Sequence, residues 1–95
     1  MPSSKDSKAI KHYQQATSFY DVRKNPEALE ELKKAIERDK NFVEAFMLMG
    51  YIYSDMGMTQ ESIAAYTEAV KINPDFFPKN FSNLAKEEMK NDNAE

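Results

Sequence analysis

The chain has 95 residues, 41% of them hydrophobic, and a net charge of −3 from 16 acidic and 13 basic side chains. That supports one small domain, and because the two signs are interspersed there is no sustained basic field to draw in nucleic acid or an anionic membrane. No apolar run is long enough for a membrane span or a signal peptide, the lack of cysteine excludes disulfides and thiolate metal sites, and two glycines and four prolines leave little turn material for an all-β fold. The expectation is an all-α protein, soluble and cytoplasmic by default.

Apolar residues recur at intervals of three and four, the period of helices that bury one face. After a polar tail at 1–5, the first helix is expected from about 6 to 22 and the second over about 26–38, with Asn25 as its cap and Pro26 at the first position, where a missing N–H is harmless. A third helix is expected to begin at Asn41, whose side chain would pair with Glu44 in the manner of a capping box. It should stop at Gly57, a residue free to adopt the left-handed conformation. Thr59 is placed to cap a fourth helix reaching about Ile72, and Asn73-Pro74 ends it, since proline disfavours helical geometry in the residue before it. Asp75 would cap a fifth helix running to about Met89, with a polar tail at 90–95.

The chain also repeats itself. A shift of 34 residues lays Ala16 on Gly50, Phe19 on Tyr53, Ala28 on Ser62, Leu32 on Tyr66, Ala35 on Ala69 and Phe42 on Phe76, matching size as well as polarity. This divides the single domain into repeat one at about 9–42, repeat two at about 43–76, and a partial third repeat or capping helix at about 77–90. Small residues at 16, 50 and 85 suit the close crossing of two antiparallel helices, with Ala28 or Ser62 as the small partner, and larger ones at 19, 53, 32 and 66 fill the space between them. One helix pair cannot bury its apolar face alone, so stacked neighbours must supply the core.

Phe46-x2-Met49-Gly50-x2-Tyr53, followed by Ser62-x3-Tyr66-x2-Ala69 and Pro74, closely resembles the tetratricopeptide repeat signature. The first unit resembles it more weakly, as His12-x2-Gln15-Ala16-x2-Phe19 and Ala28-x3-Leu32-x2-Ala35, and a third begins at Phe81-x2-Leu84-Ala85. The resemblance implies a right-handed solenoid of helical hairpins with about two and a half repeats and five helices. The fifth helix then reads either as a terminal cap with Glu87 and Glu88 facing solvent, or as the cut face of a longer stack.

No Ser, His and Asp are arranged locally as nucleophile, base and orienting acid, and no glycine-rich phosphate loop is present, so no catalytic residue, cofactor or metal is expected. His12 stands where the family places a large aromatic and reads as a packing residue. Glutamates such as Glu30 alternate with lysines such as Lys34, a pattern of solvated helix faces. The family resemblance implies a protein-interaction module in which the first helix of each pair lines a concave groove for a partner's peptide or helix. Carried onto this chain, the groove positions are Tyr13, Thr17 and Tyr20, then Met47, Tyr51 and Ser54, and in the third set Ser82, Lys86 and Met89. Lys86 is the one positive charge in these sets, so a clamp for a C-terminal carboxylate is not expected; a partner with apolar side chains is, with an acidic group near Lys86. The same Tyr and Met stripe is also compatible with core. The alternative function is a structural or self-associating segment, including a homodimer, of a longer protein.

Overall fold

An aspartate before a run of apolar residues at helical spacing is a start signal, and in the computed structural model, which describes residues 3–75, the first helix begins there. Asp6 is the N-cap of α1 (Ser7–Asp21), its Oδ1 accepting the Ala9 N–H at 2.9 Å. There follow α2 (Asn25–Arg38), α3 (Val43–Asp55) and α4 (Thr59–Ile72). Among the described residues there are no strands, and the four helices form two antiparallel pairs, α1 with α2 and α3 with α4, with α3 laid on α2. The fifth helix, with Lys86, lies outside the described residues.

The two hairpins are built alike down to their turns. Each first helix closes through the same pair of bonds: Lys24 and Arg23 N–H donate to the carbonyls of Phe19 and Tyr20 (2.9 and 3.0 Å), as Met58 and Gly57 donate to Tyr53 and Ser54 (2.8 and 3.0 Å). This wrapping requires a left-handed residue just past the helix end. Gly57 supplies it at φ 76°, as its position in the sequence suggests, and Arg23 supplies it at φ 61° in the first hairpin. Each second helix ends on an extended residue, Asp39 or Asn73, whose side-chain oxygen accepts the N–H two residues on at 3.0 Å.

Three expected caps are displaced. Asn25 and Thr59 are the first residues of their helices, Lys24 and Met58 stand at the N-caps, and neither helix has a side-chain cap. Asn41 does not cap α3 either; Phe42 takes the N-cap position and is fully buried. The Val43 N–H is satisfied instead by Ser3 Oγ at 3.2 Å, and Glu44 Oε2 accepts the Ser3 N–H at 2.7 Å. Ser4, in a segment the sequence marks as polar tail, is only 3% exposed, and its Oγ accepts the Asp6 N–H.

Inside each pair the small residues sit at the crossing. Ala16 and Ala28 are fully buried, and in the second pair Gly50 faces Ser62, whose hydroxyl donates to the Gly50 carbonyl at 2.7 Å. A Cβ on Gly50 would fall on the ring of Tyr66, which is fully buried. Between the pairs, Leu29, Leu32 and Ala35 of the first hairpin share one core with Phe42, Ala45, Leu48 and Ile52. Stacking this second apolar stripe on α2 fixes which face of α3 remains outward.

Candidate functional site

On a helix, residues three, four and seven apart share one face. With Ala45, Leu48 and Ile52 of α3 turned toward the first hairpin, the stripe through Glu44, Met47 and Tyr51 turns outward beside α1. Tyr13 comes from α1 to meet it. Tyr13, Glu44, Met47, Leu48 and Tyr51 line one shallow recess of about 130 Å³. Its aromatic walls are braced from behind: Tyr13 packs at 5.2 Å, tilted by 40°, on Phe42, and Tyr51 meets the edge of Tyr66 at 5.6 Å. Tyr51 is 39% exposed, so its outer surface is open to a ligand.

Burial, and then the negative charge of Glu44, raise the Tyr13 hydroxyl above its ordinary value. The ring therefore stays a neutral phenol at neutral pH. Glu44 Oε2 receives the Ser3 N–H, while Oε1 is buried and has no hydrogen-bond partner among the described residues.

The remaining expected groove residues are placed differently. Thr17 Oγ1 donates back to the Tyr13 carbonyl at 2.9 Å, which takes its hydroxyl out of use as a donor. Tyr20 reaches from α1 to α3, its hydroxyl donating to Asp55 Oδ2 at 2.9 Å, and this bond is the first cause of its raised pKa. Tyr20 and Asp55 line a second, polar recess of about 340 Å³ with Asp21, Arg23 and Asn25. Ser54 is half-buried beside Asp55 at the end of α3, and its carbonyl is held by the Gly57 N–H. The stripe is thus split into an apolar end around Tyr13, Met47 and Tyr51 and a polar end around Tyr20. Lys86 lies outside the described residues. Glu44, Leu48 and Asp55 join the surface without having been singled out for it. Glu44 was legible, since it stands three before Met47 and seven before Tyr51 and so falls on the same stripe.

Away from the groove, His12 Nδ1 lies 2.8 Å from Glu31 Oε1. With a carboxylate as acceptor, Nδ1–H must be the donor. Lys34 pairs with Glu31 at 3.2 Å, rather than with Glu30 as the i,i+4 spacing suggests, because Glu31 is turned toward the helix seam where His12 fixes it. At the same place in the second hairpin stand Phe46 and Ala65, and the seam is an apolar recess of about 270 Å³ lined also by Met49, Tyr53 and Glu61. Among the described residues no group of three or more His, Cys, Asp or Glu could hold a metal, and no helix is long and apolar enough to cross a membrane.

Two like hairpins, closed by the same turn and stacked through a shared core, define a helical-repeat protein. The tetratricopeptide repeat family model matches residues 43–76, the second hairpin and its terminal turn. The second hairpin is thus similar to a tetratricopeptide repeat, and the described chain has the fold of tetratricopeptide-like helical hairpins. Among solved structures, the crystal structure of MamA is similar with a TM-score of 0.72 and 24% identity, over 74% of this chain and 41% of that one. The solution structure of a tetratricopeptide repeat domain protein from Salinibacter ruber is similar with a TM-score of 0.66 and 18% identity, over 97% of this chain and 94% of that one. At these identities the likeness is one of fold, and this chain spans less than half the length of the MamA chain. No curated protein matches the sequence. Domains of this family are generally protein-interaction modules and typically non-catalytic.

Proposed function

We propose that this protein is a non-catalytic interaction module that holds an extended segment of a partner protein against the face shared by α1 and α3. The observation that carries this is the convergence of Tyr13, Met47 and Tyr51, from two different repeats, on one recess whose walls are braced by buried rings. Tyr offers contact area with few torsions to freeze and Met adapts its shape, so an apolar side chain of the partner fits there. Thr17, Tyr20 and Ser54 continue the surface toward Asp55, and Lys86 belongs to the same proposed set with an acidic group of the partner opposite it.

Tyr51→Ala tests the reading. With its ring 39% exposed, the substitution should leave the far-UV circular dichroism unchanged and lower affinity for groove-binding peptides about tenfold, as expected of an exposed aromatic anchor. Loss of helicity instead would make Tyr51 a core residue.

The apolar recess at Phe46, Met49 and Tyr53 favours a second reading, a stacking or self-associating segment of a longer protein. Sedimentation equilibrium over a wide concentration range separates the two. A monomer throughout supports the groove binder, and a concentration-dependent dimer supports self-association.

A further inference from the structure

We propose that the recess between Tyr13 and Tyr51 is a binding site for a lysine side chain, so that the partner segment is one with a lysine set between apolar residues. This rests on the groove reading above and names the partner's chemistry. Glu44 is the deciding residue. One of its oxygens already accepts the Ser3 N–H at 2.7 Å, while Oε1 is buried and has no hydrogen-bond partner among the described residues. Among the described residues no cation forms an ion pair with it.

A carboxylate oxygen withdrawn from water without a donor is unfavourable, and whatever fills the recess decides whether that improves or worsens. An aliphatic side chain would cover the Glu44 carboxylate without offering it a donor or a charge. An acidic one would be repelled. A hydroxyl could donate one bond but would bring no charge.

An ammonium group brings three donors and a positive charge to the Glu44 carboxylate that lines the recess. It also lies between two phenol rings, whose negative faces attract cations. Tyr13 and Tyr51 are the two aromatic residues lining the recess, and Met47 and Leu48 line it as well, suited to the methylene stem that a lysine buries behind its head. At about 130 Å³ the space suits a slender alkylammonium and is small for a branched or bicyclic side chain. The backbone N–H of Ser3 on Glu44 shows the same carboxylate receiving an N–H donor from an adjoining segment of chain.

The test uses the full chain and two peptides, acetyl-Ala-Leu-Lys-Leu-Ala-amide and the same peptide with norleucine for lysine, titrated by calorimetry at low and high salt. The lysine peptide should bind about tenfold more tightly at low salt, and that advantage should shrink as salt is added. Glu44→Gln, which keeps the side chain's shape and an acceptor for Ser3, should abolish the advantage, the lysine peptide losing the affinity that the carboxylate gave it. Tyr51→Leu, at an exposed position, should reduce the advantage by removing one aromatic wall, and it serves if Glu44→Gln does not fold. Equal binding of the two peptides overturns the lysine site and leaves the apolar groove standing. Binding of neither overturns the site and the groove reading together.

Discussion

Two glycines occupy corresponding kinds of constraint, one of space and one of backbone shape. At Gly50 the limit is the Tyr66 ring, so Gly50→Ala must push a buried aromatic aside, and we expect a loss of about 1–3 kcal/mol in urea unfolding. At Gly57 nothing lies within 4 Å of a Cβ, and only the φ of 76° matters; Gly57→Ala should cost about 1 kcal/mol through left-handed strain alone. Arg23 is the informative counterpart. It holds the same turn at φ 61° with a side chain present, so Arg23→Gly should stabilise the protein, by roughly 0.5 kcal/mol once the greater freedom of the unfolded glycine is counted. Opposite signs at 23 and 57 in urea midpoints would verify that the two turns are equivalent. Gly57 was legible because a glycine at a helix end announces its purpose. Arg23 was not, since nothing in its chemistry marks it for a left-handed position.

Among the helices, α1 and α2 are tied by acids held below their ordinary pKa. Asp6 is lowered first by the Ala9 N–H it caps and then by Arg38, whose Nη2 lies 3.1 Å from Oδ2. Glu31 is lowered first by the His12 bond and further by Lys34. A carboxyl that binds its proton less tightly when folded adds stability above its unfolded pKa and loses it as pH falls. With ordinary values of 3.8 and 4.5, both contributions should be complete at neutral pH and fade as the pH drops through that range and below. Melting temperatures measured from pH 7 to pH 3 should therefore decline below about pH 4.5, and less steeply in Glu31→Gln. Helix positions followed from periodicity, but the N-caps of α2, α3 and α4 did not. Asn25, Asn41 and Thr59 all have side chains that can cap, and each lost the position to a turn geometry or a distant segment. A cap is decided by where the chain arrives from, which a local window does not contain.

For the molecule as a whole, stability depends on the contact of α3 with the first hairpin. Ile52 is fully buried in that shared core, and Ile52→Ala should cost about 2–5 kcal/mol. Because repeat proteins are coupled through nearest-neighbour interfaces, the same change should also broaden the urea transition as the hairpins begin to unfold separately. A sharp, merely shifted transition would mean that the coupling survives without Ile52.

The 34-residue repeat, the small residues at the crossing and the apolar period were enough by themselves to determine the hairpins and their likeness to tetratricopeptide repeats. These are local regularities, imposed because every unit must solve the same packing problem. The proposed groove was legible only as a stripe of candidate positions. Which of them converge depends on how α3 is rotated against α1, and that is decided by the contacts of Ala45, Leu48 and Ile52 with the first hairpin. Tertiary packing likewise drew Thr17 back to its own helix, joined Tyr20 to Asp55, and brought Ser3 across to Glu44. The bond to Glu44 spans 41 residues of sequence, a separation at which no local pattern carries information and only the folded path of the chain does.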